Sequence, residues 1–153
     1  MKIQWKKLII CLFIPLAIGS LSAFLTKDNI QLFQLINKPT LSPPSWIFPI
    51  AWTILYILMG IASYLVWTMP KTNNCALIFY LVQLGFNFFW TIIFFNFELY
   101  LFAFIWLLLM WLLILKTTLL FYQTSKPAGY LMLPYLLLVS FAGYLNFSIY
   151  LLN

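Results

Sequence analysis

Side chains able to bind a ligand recur at helical spacing inside apolar stretches. Gln83, Asn87 and Trp90 follow one another at i, i+4 and i+7, and Trp52 precedes Tyr56 by four residues. Each set lies on a single face of a helix. Indole rings stack on flat apolar surfaces, and amides fix a ligand's orientation through hydrogen bonds. The pattern indicates a cavity for a flat, mostly apolar molecule with a few polar edges. The alternative is that the amides are interhelical glue, and the spacing alone favours neither.

A third face of the same kind lies near the C-terminus, where Leu138, Ala142 and Asn146 stand four residues apart. Small and medium side chains on this face leave room for a ligand or for close helix packing. Other tryptophans, Trp5 and Trp46 among them, stand at the ends of apolar stretches. We interpret these as belt residues at the membrane–water interface.

The residue types that are missing exclude most familiar catalysis. The chain has no His, no Arg and only two acids, Asp28 and Glu98. A Ser-His-Asp triad and a His-based metal site are therefore impossible, and we expect no metal and no cofactor. The net charge of +6 comes from lysines alone. In so apolar a chain we interpret it as a signal for orientation and lipid contact, with no nucleic-acid partner.

The composition is that of an integral membrane protein. Apolar residues make up 65% of the 153 positions and charged residues 7%. A hydrocarbon core of about 30 Å requires roughly 20 helical residues. The chain offers five such spans in one domain, 1–153, and the fold class is an all-α membrane protein with a bundle of five transmembrane helices. The predicted spans are 8–25, 46–67, 75–95, 99–122 and 130–152.

Two segments outside this regular pattern need an interpretation of their own. The basic, apolar start resembles a signal peptide, but a retained first helix is favoured because the apolar run is long. The connection 26–44 is long for so small a bundle and carries apolar residues and three prolines. We expect a lid folded onto the mouth of the bundle rather than a loose linker.

The lysines predict the orientation. With five spans, the N-terminus and the connections near 68–74 and 123–127 share one side, which carries most of the lysines. The other side has Lys27 and Lys38. The positive-inside rule places the N-terminus in the cytoplasm and the lid and C-terminus outside.

Three blocks resemble the TspO/MBR family of tryptophan-rich sensory proteins and mitochondrial translocator (peripheral benzodiazepine receptor) proteins. KPTLSPPSWIFPIAWTILYILMGIASYLVW at 38–67 resembles the family signature that begins KPxWxPPxW. QLGFNFFWTIIFF at 83–95 and LPYLLLVSFAGYLNFSIYLLN at 133–153 match two further family blocks in order. The resemblance therefore extends over the spans of the whole chain.

The resemblance implies a five-helix bundle whose first loop caps a pocket for porphyrins and other tetrapyrroles and for benzodiazepine-type drugs. It also implies membrane lipid as the surroundings and a possible homodimer. Carried over position by position, the implied ligand-binding residues are Phe33, Trp52, Tyr56, Asn87, Trp90, Leu138 and Ala142. These include members of all three faces described above.

Departures from the family pattern bear on activity. The family has a Trp where this chain has Leu138, and the lid Trp-Tyr pair is Leu32-Phe33. Some members are proposed to degrade porphyrin with light and oxygen through pocket tryptophans, and leucine cannot form an indole radical. We therefore expect a receptor or carrier that regulates porphyrin levels. A porphyrin-degrading enzyme and a transporter or helper subunit are the alternatives, although the uncharged spans argue against ion-coupled transport.

Overall fold

The computed structural model describes residues 2–33, 36–44, 46–71 and 74–153, with their side chains except those of 30–33. Within these ranges the chain forms five α-helices, all long and apolar enough to cross a membrane. They are α1 (Trp5–Phe33), α2 (Ile47–Trp67), α3 (Asn74–Phe95), α4 (Tyr100–Thr124) and α5 (Lys126–Leu152). The five-span, all-α prediction is confirmed.

The predicted bounds of α2, α3 and α4 agree with the structure to within two residues, but three other boundaries differ by more, and the first of these is the start of α1, at Trp5 instead of 8. The connection 26–44 was predicted to be a loop, whereas 26–33 continues α1. Charge at Lys27 and Asp28 marks where the chain leaves hydrocarbon, and a helix can extend into water without breaking. The last helix begins at Lys126 instead of 130, because Pro127 lies in its first turn, where a missing N–H costs nothing.

The helices pack as a ring in the order α1, α2, α5, α4, α3. Each helix packs on its two neighbours in this order, and α1 closes the ring by packing on α3. The backbones of α3 and α5 do not come into contact, and α2 touches α3 and α4 at few positions. The side chains of α2, α3 and α5 therefore meet in the interior of the ring.

Small residues set the closest approaches around the ring. A Cβ added to Gly60 of α2 would lie 2.8 Å from the carbonyl oxygen of Cys11 in α1. A Cβ on Gly129 would lie 2.5 Å from the Cβ of Tyr122, where α4 turns into α5 through Ser125. Any larger side chain at these positions would push neighbouring helices apart.

The outer surface suits a hydrocarbon environment. On α4 one helical face exposes large apolar side chains, while the opposite face is buried. The exposed set includes Leu101, Phe102, Ile105, Leu108, Leu109 and Leu112. Lipid tails are as apolar as these side chains, so their exposure costs nothing in a bilayer.

Candidate ligand site between helices α2, α3 and α5

A chain of buried polar side chains crosses the interior of the ring. The Tyr56 hydroxyl donates to Asn87 Oδ1 at 3.1 Å, and Asn87 Nδ2 donates to the Tyr135 hydroxyl at 2.9 Å. Tyr135 in turn donates to Gln83 Oε1 at 2.6 Å. All four residues are buried. Each polar group finds a partner on another helix, as an interior without water requires.

Aromatic rings pack against this polar chain on the side nearer to the N-terminal end of α2. The Trp52 ring lies 5.8 Å from Tyr56, centroid to centroid, and meets Tyr135 edge-on at 6.1 Å. One turn beyond Asn87, the Trp90 ring stacks on Phe94 at 5.2 Å. Both tryptophans are only half-buried, so part of each indole is available to another molecule.

A further hydrogen bond between α3 and α5 lies nearer to the C-terminal end of α3. Trp90 Nε1 donates to Asn146 Oδ1 at 3.1 Å, and Asn146 Nδ2 donates to the carbonyl oxygen of Tyr100 in α4 at 2.8 Å. Leu138 and Ala142 lie on the α5 face between Tyr135 and Asn146 and are half-buried. The wall of α5 between the two polar levels therefore consists of small and aliphatic side chains.

The lack of a side chain at Gly19 makes room for the Tyr56 ring. A Cβ added to Gly19 of α1 would overlap with Cε2 of the Tyr56 ring. The absence of a side chain at Gly19 lets the phenol pack flat against α1 while its hydroxyl reaches α3. The α1 helix thus shapes the site without adding a polar group to it.

The end of the ring nearest this site is covered by chain from the first connection. Ile36 packs against a small apolar cluster that joins α3, α4 and α5. The Asn37 backbone N–H donates to Asn153 Oδ1 at 3.2 Å, and Asn153 Nδ2 donates to the Asn37 carbonyl at 2.9 Å. At the end of α1, Asn29 Nδ2 donates to Asn96 Oδ1 at 2.6 Å. The end of α1 is thus tied to the end of the neighbouring α3, and the connection that follows it is tied to the end of α5.

Comparison with known proteins agrees with this architecture. A sequence model of the TspO/MBR family matches residues 11–152. The chain belongs to the TspO/MBR family. It is 39% identical to the tryptophan-rich protein TspO of Chlorobaculum tepidum, with 98% of each chain covered. It is 36% identical to the tryptophan-rich sensory protein of Cereibacter sphaeroides, covering all of this chain and 95% of the relative. Identity to the human translocator protein is 32%, over 84% of this chain and 79% of that protein.

The structure brings together six of the seven positions that the TspO/MBR resemblance implied. Tyr56 and Asn87 are directly bonded, the Trp52 ring lies tilted against that of Tyr56, and Trp90 lies one turn along α3. Leu138 and Ala142 face them from α5. Phe33 is the last residue of α1, and its side chain lies outside the described part of the chain.

Sequence reasoning missed two residues that organise the site in this TspO/MBR chain. Tyr135 joins Asn87 to Gln83, and it lies on the same face as Ala142 and Asn146, at i, i+7 and i+11, a spacing that was available as a signal. The second residue is Trp106 of α4. Its Nε1 donates to the Phe86 carbonyl at 2.8 Å, and its ring stacks on Phe86 at 4.4 Å, so it fastens α4 to α3.

Proposed function

We propose that this protein is a membrane receptor or carrier for porphyrin-type tetrapyrroles, which it binds between α2, α3 and α5. The observation that carries the proposal is the pairing of two half-buried indoles, Trp52 and Trp90, with a buried Tyr56–Asn87 hydrogen bond in one interior. A porphyrin presents the complementary features, which are two broad aromatic faces and a polar centre of pyrrole nitrogens.

The apolar part of the macrocycle matches the walls of the site. Indoles stack on flat π-systems, and Leu138 and Ala142 offer a surface without a bulky ring opposite them. The Asn87 amide has both a donor and an acceptor, so it can serve pyrrole N–H and unprotonated nitrogen alike. Without ligand, Asn87 is occupied by Tyr56 and Tyr135, and binding exchanges these bonds for bonds to the ligand.

The charged groups of a porphyrin suit the end of the helix bundle that carries Lys27 and Lys38. Natural porphyrins carry anionic propionate groups, which are costly to bury in hydrocarbon. Lys27 and Lys38 belong to the covered end, whereas no lysine lies among the site residues. We place the propionates at this end and the porphyrin macrocycle inside the helix bundle, with the segment 36–44 acting as a lid. A benzodiazepine-type drug would occupy the same interior and compete.

The relatives' names give the proposal its biological direction. One relative is named a tryptophan-rich sensory protein and another a translocator protein. A sensing or carrying role requires ligand binding without chemical change, which suits a site with no acid, base or metal ligand among its residues. Lipid surrounds the bundle, and a homodimer formed through the exposed helix faces remains a prediction.

The orientation proposed here has the N-terminus in the cytoplasm. Lys2, Lys6 and Lys7 lie at the end where α1 begins, and Lys71 and Lys126 lie at the same end. Lys7 Nζ is 4.9 Å from the centroid of the Trp67 ring, a cation–aromatic contact typical of an interface. The lid and the C-terminus are then outside, and cysteine-accessibility labelling at each end would test this.

Titration with protoporphyrin IX tests the function. We expect saturable quenching of tryptophan fluorescence in detergent micelles, together with a shift of the porphyrin absorption band. Trp52→Phe and Asn87→Leu should weaken binding at least several-fold. Trp46→Phe is the matched control, because Trp46 is 66% exposed and far less enclosed than Trp52. Binding that is linear in porphyrin, or equally affected by both tryptophan variants, would refute the proposal.

A further inference from the structure

A second cavity lies at the opposite end of the bundle, away from the proposed porphyrin site. It has a volume of about 180 Å³ and is enclosed by α1, α2 and α3. Its lining is apolar apart from Cys11, Ser63 and Tyr80, each from a different helix. An engineered apolar cavity of about 150 Å³ binds benzene, so this volume accommodates a single substituted ring.

The cavity contains an unsatisfied polar group. Tyr80 is 2% exposed, and its hydroxyl has no hydrogen-bond partner among the described residues. Its ring is held by stacking on Phe121 of α4, with 5.6 Å between centroids, so the phenol cannot easily turn away. Ser63 lies beside it and donates its own hydroxyl proton to the Gly60 carbonyl at 2.9 Å, and the Ser63 oxygen is not in hydrogen-bond geometry with the Tyr80 hydroxyl. A buried donor without a partner is destabilising, which makes an incoming acceptor favourable.

The cavity opens toward lipid rather than toward water. Ile10 and Leu81 lie at its edge and are 47% and 53% exposed on the outer surface of the helices. A water molecule there would have Cys11, Ser63 and Tyr80 as its polar partners, because the open side offers only hydrocarbon, and an entering ligand with an acceptor would displace it. A ligand with an apolar body therefore reaches this cavity through the bilayer.

We propose that this cavity is a second ligand site, which takes a small apolar molecule carrying one hydrogen-bond acceptor, with the Tyr80 hydroxyl as the donor. An aryl ketone has the required chemistry, whereas an acyl chain fills space but leaves Tyr80 unpaired. Its lining shares no residue with the proposed porphyrin site, although Tyr80 belongs to the same buried core as Tyr56 and Tyr135.

The test compares two probes of nearly equal size. In ¹⁹F NMR titrations of the protein in nanodiscs, 4-fluoroacetophenone has the acceptor and 1-ethyl-4-fluorobenzene lacks it. We expect saturable binding of the ketone, about 3- to 10-fold tighter than that of the hydrocarbon, the range of one hydrogen bond. Tyr80→Phe keeps the ring and should abolish this preference, whereas Tyr130→Phe, at an exposed tyrosine, should retain it.

Two further measurements place the probe in the cavity. In a Cys75→Ser background the buried Cys11 is the remaining thiol, and the ketone should slow its alkylation by an apolar maleimide. Leu81→Trp, which fills the lipid-facing edge, should reduce ketone binding without changing protoporphyrin affinity. Equal affinities for both probes in the folded protein, or no protection of Cys11, would overturn the proposal and favour lipid or water as the occupant. A failure of porphyrin binding alone would leave this result intact.

Discussion

Trp90 of α3 donates its indole N–H to Asn146 of α5 at 3.1 Å, although the backbones of the two helices make no contact. Both helices pack on α4, which lies between them in the ring, and side-chain hydrogen bonds link them directly across the interior. Tyr135 of α5 makes two further bonds of this kind, to Asn87 and Gln83 of α3. The Trp90–Asn146 hydrogen bond therefore belongs both to the helix packing and to the candidate site.

The Trp90–Asn146 bond should contribute measurably to stability. Hydrogen bonds between membrane helices average about 0.6 kcal/mol in double-mutant cycles, with a maximum near 1.7 kcal/mol. We expect the cycle of Trp90→Phe and Asn146→Leu, measured by unfolding in mixed detergent and SDS micelles, to give a coupling free energy in that range. Additive effects of the two substitutions would show that the bond is not formed in the bilayer-like state.

Tyr135→Phe should destabilise the bundle by about 1 kcal/mol, because it removes the donor to Gln83 and the acceptor for Asn87 while keeping the ring. Thermal unfolding in detergent measures this effect. Tyr144→Phe is the matched control on the same helix, since Tyr144 is 44% exposed. Equal melting temperatures for the two variants would contradict the role given to Tyr135.

Gly19→Ala should both destabilise the protein and weaken porphyrin binding. Its new methyl group overlaps the Tyr56 ring, and overpacking of this kind costs about 1–3 kcal/mol. Gly85→Ala is the control, because a Cβ there meets nothing within 4 Å. We expect its stability to be unchanged or slightly higher, since alanine is the better helix former. Similar losses in both variants would argue against a specific contact with Tyr56.

Asn153→Ala should speed porphyrin release if 36–44 acts as a lid. The substitution removes both bonds between the Asn153 side chain and the Asn37 backbone. We expect the dissociation rate to rise about three- to tenfold, as the loss of one or two exposed hydrogen bonds allows. Stopped-flow fluorescence measures the rate, and Gln123→Ala at the opposite end is the control. An unchanged rate would mean that the ligand does not leave beneath this segment.

Illumination of the wild-type protein with protoporphyrin IX in air should give no spectral loss beyond that of detergent alone. Leu138 supplies no indole at the position where the family has one. Leu138→Trp should increase the loss if the missing indole is the reason. Rapid degradation by the wild-type protein would instead favour the enzymatic alternative, and absorption spectra recorded over time distinguish the two.

The sequence predicted the spans well because charge-free runs of sufficient length have few alternatives in a short chain. It also predicted the faces carrying Trp52, Tyr56 and Asn87, since helical spacing is a property of one segment. Partners across the interior depend on how helices rotate against one another, which no single segment encodes. Tyr135 escaped notice for this reason, because a tyrosine in an apolar span suits a membrane interface as well as a core.

The end of α1 escaped prediction for a different reason. Hydropathy marks where the chain leaves hydrocarbon, and the helix continues past Lys27 to Phe33. Nothing in residues 26–33 breaks a helix, and Asn29 is fastened to Asn96 beyond the last turn of α3. The order of helices around the ring likewise depends on contacts between distant segments, such as that of Gly60 with Cys11.

Any ligand that forms a hydrogen bond with Asn87 must compete with the bonds among Tyr56, Asn87, Tyr135 and Gln83. If only a small fraction of molecules has these bonds open at any moment, the apparent dissociation constant is the intrinsic one divided by that fraction. The strength of this closed state then sets the concentration at which the ligand is detected. A substitution at Tyr135 would then shift that threshold by changing how strongly Asn87 is held in the closed state.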